Sequence, residues 1–207
     1  MFGTDEQKKK FLPDLASGKK IGAFGLTEPS AGSDAGNTKT RAVLDGDKFI
    51  VNGEKAFCTN AGVSSVLIFT AVIVENGYEK GVSAFVVDSN TEGISFNSPE
   101  KKMGWCASDT RSIFFKDMCI PKSAILGNSE KGFKQFLQTL TSGRITIGAL
   151  SIGTAQGAFN RALAYSQERE AFGKSINNFQ GISFKLSDMI TQIEAARHLV
   201  YHAAWKK

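Results

Sequence analysis

The sequence predicts an α+β fold, in which a β-rich region spanning residues 21–121 is followed by helices that run to residue 207. Three observations carry this prediction. Short runs of β-branched and aromatic residues recur between Ile21 and Pro121, separated by turn signals. Near Ser129 the pattern switches to one that supports helix as far as Glu168. From Gln180 onward, apolar residues return at steps of four and three.

At the start of the chain, Thr4-Asp5-Glu6-Gln7 reads as a capping box opening a short helix that stops near Pro13 or Gly18. Lys48-Phe49-Ile50-Val51 follows the turn Asp45-Gly46-Asp47, and Val66 to Val74 ends at Glu75-Asn76-Gly77. Val82 to Val87 and Ser112 to Phe115 are further β-rich runs. Strands at such short intervals suggest a compact barrel or sandwich. In the last helix Ile182, Leu186, Met189, Ile193, Ala196, Val200 and Ala203 form a seam for another helix, and two helices alone bury such a seam poorly, so further helical partners are implied. Gly148, Gly153 and Gly157 interrupt the preceding helix at a cost of about 1 kcal/mol each against alanine, which close helix packing would offset.

Composition narrows the function classes. With 42% hydrophobic residues the chain can bury a core and is not disordered. The net charge of +5 is spread over scattered lysines and arginines, the pattern of a solvated surface rather than of a nucleic-acid patch. Cys58, Cys106 and Cys119 are far apart with no Cys-x-x-Cys pair, so neither a disulfide framework nor a zinc knuckle is indicated and a reducing compartment is expected. The most apolar run, Val66 to Val74, is too short for a membrane helix, and no signal peptide is evident.

Several reaction classes lose their motifs. Phe172-Gly173-Lys174-Ser175 resembles the end of a phosphate-binding loop, but Glu168 stands where the first glycine is required. There is no Gly-x-Gly-x-x-Gly for a nicotinamide cofactor and no Gly-x-Ser-x-Gly nucleophile elbow. Glu194, His198 and His202 share a helical face but read as a solvated polar stripe, without the accompanying ligands of a metal site.

One stretch stands out as a candidate ligand site. Gly25-Leu26-Thr27-Glu28-Pro29-Ser30-Ala31-Gly32-Ser33-Asp34 places short hydroxyl side chains and two glycines where an apolar strand stops. Thr27 and Ser33 can donate and accept through stiff side chains, and Gly25 and Gly32 would let a ligand approach the backbone. An ordinary Pro/Gly/Ser turn uses the same residues, and from the residues alone both readings stay open.

This stretch resembles the flavin-contacting motif of the acyl-CoA dehydrogenases, and other landmarks of that family follow in order: Phe57-Cys58-Thr59-Asn60, Ser142-Gly143-Arg144-Ile145, Arg169-Glu170-Ala171-Phe172-Gly173-Lys174 and Phe179-Gln180. The resemblance implies an acyl-CoA dehydrogenase-like architecture: residues 1–20 as the last helix of an N-terminal helical domain, 21–125 as a middle β-barrel or sandwich domain, and 126–207 as the first half of a C-terminal helical bundle. It implies FAD as cofactor, contacted by Phe24, Leu26, Thr27, Ser33, Phe57, Cys58, Thr59 and Phe172, with Arg169 and Gln180 reaching the cofactor of a neighbouring subunit and Arg169 clamping its pyrophosphate. Ser33 and Arg144 are implied at the acyl-CoA substrate, with no metal. The implied reaction is α,β-dehydrogenation of a short-chain acyl-CoA to a trans-2-enoyl-CoA, with electron-transferring flavoprotein as acceptor and a homo-oligomer, a tetramer in the family, as the working form. The implied location is the bacterial cytoplasm, or the mitochondrial matrix if the source is eukaryotic.

The sequence departs from the family at informative places. Asn37 stands where a small residue is usual, and Thr141 where the family has an aspartate that helps hold CoA. Gly143 occupies one of the family's two positions for the catalytic carboxylate, and the other position lies past Lys207. The residues present are therefore expected to form a fragment that is inactive on its own. A non-catalytic flavin- or CoA-binding module and an acyl-CoA oxidase-like or nitroalkane-oxidase-like relative are the alternatives.

Overall fold

The computed structural model describes residues 1–207 and divides into two compact units, Met1–Leu137 and Gln138–Lys207. The first unit opens with α1 (Asp5–Ala16). Its capping box is formed: the Thr4 hydroxyl accepts from the Gln7 backbone N–H, and the Gln7 side chain accepts from the Thr4 N–H. Pro13 lies inside the helix rather than ending it, and the turn closes with the Ser17 N–H donating to Pro13 O. Gln7 Nε2 also donates to the carbonyls of Ser123 and Ile125, joining the helix to the end of the sheet region.

The sheet comprises β1 (Gly22–Gly25), β2 (Arg41–Asp45), β3 (Lys48–Thr59), β4 (Val66–Glu75), β5 (Tyr78–Asp88), β6 (Ile94–Phe96) and β7 (Thr110–Pro121). Strand order is β1-β4-β2-β3-β7-β6, with β5 also paired to β4. β4 organises the sheet: β5 pairs with it antiparallel along its length, while β1 and β2 run parallel to successive halves of it, at Val66–Phe69 and Val72–Val74. The turns predicted for β2–β3 and β4–β5 are present. Asn76 and Gly77 both adopt positive φ, as a two-residue type I′ hairpin requires.

Phe69 on β4 stacks on Phe85 of β5, with ring centroids 5.4 Å apart, and lies 4.5 Å from Phe115 on β7. β4 and β7 are not neighbours in the sheet, so the contact requires the sheet to curl back on itself. The enclosed core includes Leu67, Phe69, Phe85, Ile113, Phe115, Met118 and Ile120, all close to full burial. The run Ser112–Phe115 is the middle of a longer strand, whose ends read as polar because only alternate residues face inward.

α2 (Gly132–Glu168) begins against the sheet and continues into the second unit. A Cβ on Gly132 would stand 2.2 Å from the Ala84 backbone nitrogen, so only glycine allows this helix start to sit on β5. In the second unit α2 packs antiparallel to α3 (Gln180–Trp205), with Ile152, Phe159 and Ile193 buried between them. Gly148 fits tightly against Val200, as close packing requires, but Gly153 and Gly157 face open space, so the packing explanation holds for the first alone. Along the predicted seam, Leu186, Ile193, Ala196 and Val200 turn toward α2, whereas Leu199, Tyr201 and Trp205 on the rest of α3 are exposed. A two-stranded ribbon not anticipated from the sequence, β8 (Glu170–Ala171) and β9 (Lys174–Ser175), joins the helices. No helix is long and apolar enough to cross a membrane.

Candidate functional site

In the first unit the motif residues lie at the end of β1 and on the loop that leads to β2. Leu26 is buried and Thr27 half-buried, while Ser33 is exposed. The Thr27 carbonyl accepts from the Ala56 N–H at 2.8 Å, tying this loop to β3. The hydroxyls of Thr27, Ser33 and Thr59 have no hydrogen-bond partner within the chain, which leaves three short donors free for a ligand. Nothing lies within 4 Å of where a Cβ on Gly32 would stand, so the backbone is open to close approach there. Gly25 differs. A Cβ at this position would lie 2.8 Å from Cγ and 3.0 Å from Cβ of Lys55, so this glycine makes room for a lysine stem rather than for a ligand.

That lysine was not singled out from the sequence. Lys55 is fully buried, and its Nζ lies 2.7 Å from Oε1 of Glu28, itself 3% exposed. Nζ also donates to Thr70 Oγ1 at 3.0 Å. Glu28 in turn accepts from the backbone N–H groups of Lys39 and Thr40 and from the Thr40 hydroxyl. Burial pushes the Glu28 carboxyl up, but the Lys55 ammonium and the Thr40 hydroxyl outweigh it and hold the group below the usual carboxylate range. Burial lowers Lys55 from its ordinary value, with Glu28 offsetting part of the effect. Strand alternation was the available signal: Phe49, Val51 and Lys55 share one parity, which places a charge on the core side of β3.

The conformation of β3 changes just past Lys55. A bulge between Lys55 and Cys58 puts Phe57 at φ 55°, and its ring is 66% exposed instead of lying in the core where a strand aromatic usually sits. Positive φ is costly for a bulky residue, and such strain gathers at ligand sites. Cys58 turns inward among the core residues, where burial pushes its thiol up to about 11, so only its backbone can face a ligand. Phe24 is half-exposed, with its ring edge-on to Phe136 of α2 at 5.9 Å. After Thr59, Asn60 adopts positive φ and the carboxylate of Asp109 accepts from Gly62 N–H and from Arg111 Nε, each at 2.7 Å, holding the turn.

The second unit carries the remaining predicted residues. Arg144 is exposed on α2, and Arg169 is exposed where α2 ends and β8 begins. Neither guanidinium has an ion-pair partner within the chain. Phe172 forms the ribbon tip with Gly173, both at positive φ; its ring is 95% exposed and lies edge-on to Phe179 at 6.0 Å. Gln180, also exposed, is the first residue of α3. No three His, Cys, Asp or Glu side chains gather in a way that could hold a metal ion.

A flavin fits what the first unit presents: three unpartnered hydroxyls, an open glycine backbone and an outward-facing aromatic ring, a set that can meet both the polar edge and the apolar face of a planar heteroaromatic group.

Comparison with known proteins gives concordant results. Residues 23–118 match the acyl-CoA dehydrogenase middle domain, and residues 130–207 match the acyl-CoA dehydrogenase C-terminal domain. A probable acyl-CoA dehydrogenase of Bacillus subtilis, YngJ, is 49% identical over 100% of this chain and 54% of its own length. Butyryl-CoA dehydrogenase from Megasphaera elsdenii has a structure that superposes with a TM-score of 0.94 at 45% identity, over 99% of this chain and 54% of that one. A chain from a structure of the electron transferring flavoprotein of Acidaminococcus fermentans superposes with a TM-score of 0.94 at 46% identity, covering 100% of this chain and 55% of that one. The chain thus spans about half the length of the relatives it matches.

Proposed function

Because the chain belongs to the acyl-CoA dehydrogenase family, whose members are FAD-dependent oxidoreductases, we propose that residues 1–207 form the flavin-binding part of a short-chain acyl-CoA dehydrogenase. The supporting observation is the set of free hydroxyls on Thr27 and Thr59 near the strained, outward-turned Phe57, with that of Ser33 farther along the same loop as Thr27. FAD, when bound, supplies the acceptor for the hydride that leaves the β-carbon of the acyl-CoA. This chain's own groups would bind and orient the ring, and the carboxylate that must take the α-proton is not supplied at Gly143. The hydroxyls and nearby backbone N–H groups meet the polar edge of the ring system, and Phe57 covers its apolar face and excludes water. Leu26 and Cys58 contribute backbone, and Phe24 closes the apolar side. Arg169 and Gln180 are read as reaching the cofactor of a second copy, with Arg169 forking to the pyrophosphate, and Phe172 as a further cofactor contact. Ser33 and Arg144 are assigned to the substrate side.

Short-chain specificity is favoured by the 45% identity to butyryl-CoA dehydrogenase, and an electron-transferring flavoprotein is the favoured electron acceptor. We assign residues 1–20, 21–125 and 126–207 to the N-terminal, middle and C-terminal family domains, and the bacterial cytoplasm as the site of action. The exposed Leu199, Tyr201 and Trp205 support a homo-oligomer. Gly143 provides no carboxylate at one of the family's two positions for the base, so residues 1–207 are assigned the binding of flavin rather than the removal of the substrate proton.

Flavin titration of the parent chain, Arg169→Ala and Arg144→Ala tests the assignment. A charge-assisted fork to pyrophosphate is worth roughly 1.5–3 kcal/mol, so loss of Arg169 should weaken FAD binding by about one to two decades, and loss of Arg144 should leave it nearly unchanged. Equal, small losses would return Arg169 to a solvated helix end. Dye-linked oxidation of butyryl-CoA by the parent at a rate within tenfold of an intact family enzyme would show that a base lies within these residues.

A further inference from the structure

We propose that the buried Lys55–Glu28 pair is the positioning device of the candidate flavin site, holding the segment from Leu26 to Thr40 so that the Thr27 hydroxyl faces outward. The inference rests on the FAD reading above. Charged side chains are rarely this buried, and here every contact of the pair falls on the loop's two ends or on the strand beneath. Lys55 Nζ donates to the Leu26 carbonyl, at the start of the loop, and to Thr70 on β4. At the other end, the Lys39 and Thr40 N–H groups donate to Glu28 at 2.6 and 3.1 Å, and the Thr40 hydroxyl donates at 2.7 Å.

Both ends of the loop are thereby joined through one ion pair. The Ala56 N–H then holds the Thr27 carbonyl, with Lys55 next to it in the chain, so the peptide on either side of Thr27 is set from β3. Apolar burial is non-directional and would leave the rotation of this segment open. Charge-assisted hydrogen bonds are short and directional, and they set it. Gly25 completes the device, since any side chain there would push against the Lys55 stem.

The test separates positioning from plain stabilisation. Replacing a buried pair by apolar residues of similar volume is often neutral or stabilising, so the double variant Lys55→Met/Glu28→Leu should keep the parent's urea midpoint. Its Lys39 and Thr40 amides should nevertheless exchange with deuterium at least tenfold faster, with β4–β5 amides unchanged, and FAD affinity should fall at least tenfold. Parent-like exchange at these two amides, or FAD affinity within twofold of the parent, overturns the proposal. Should the double variant not fold, Thr40→Val removes one donor to Glu28 while keeping a branched side chain. It should speed Lys39 exchange about threefold, and no change there would equally overturn the proposal. A parent chain that shows no flavin binding at all refutes the FAD reading, and the exchange data then decide the bracing role alone.

Discussion

Gly25→Ala probes the one position where the sequence motif and the structure give different reasons for the same glycine. The new Cβ would stand 2.8 Å from Lys55 Cγ, 3.0 Å from Lys55 Cβ and 3.4 Å from Cys58 Sγ. Lys55 cannot swing aside, because its ammonium is tied to Glu28, Thr70 and the Leu26 carbonyl in a fully buried site. Overpacking of this kind costs about 1–3 kcal/mol, and the lower chain entropy of alanine in the unfolded state returns about 0.4–1 kcal/mol. The expected net loss is up to about 2.6 kcal/mol and centred at about 1.3 kcal/mol, read as a lower urea midpoint at unchanged m-value. Gly32→Ala is the control. With nothing within 4 Å of its Cβ, stability should stay within about 0.5 kcal/mol of the parent, while FAD affinity falls because the methyl group occupies the open approach. A midpoint for Gly25→Ala equal to or above the parent's would refute the packing argument.

Acid should destabilise the fold through Glu28: its pKa is lowered on folding, so its contribution is present above the unfolded value near 4.5 and lost as pH falls through the folded value. The loss is read as a urea midpoint that drops on the acid side, and an acid limb that is the same in Glu28→Gln as in the parent would contradict it. Iodoacetamide at pH 8 should add two adducts by mass spectrometry, at exposed Cys106 and Cys119, and spare Cys58, whose thiol is buried and pushed up to about 11; rapid labelling of Cys58 would count against its placement. Gly153→Ala should stabilise the chain by up to about 1 kcal/mol through helix propensity, whereas Gly148→Ala should lose stability against Val200 Cγ2 at 3.0 Å. Thermal midpoints moving in the same direction would remove that distinction.

The sequence by itself determined the elements whose causes are local. The Thr4–Gln7 capping box, the Asn76–Gly77 turn, the apolar run of β4 and the helical periodicity after Gln180 each act within a few residues, and each appears where it was expected. The landmark residues from Thr27 to Gln180 were likewise legible as a resemblance to the acyl-CoA dehydrogenases, which the matches to that family's middle and C-terminal domains bear out. What only the tertiary structure decided lies in contacts between distant residues. Lys55 meets Glu28 across 27 positions of the chain, and no local pattern assigns a partner to a lysine on the inward face of a strand. The same contact explains Gly25, since the space it protects belongs to another strand's side chain. Phe57 was implied at the flavin by resemblance alone, and the bulge that turns it outward was not readable locally, because register shifts depend on what the partner strand β7 offers. Gly148, Gly153 and Gly157 are equivalent as a sequence stripe, and only the position of α3 makes the first a packing requirement and leaves the other two open.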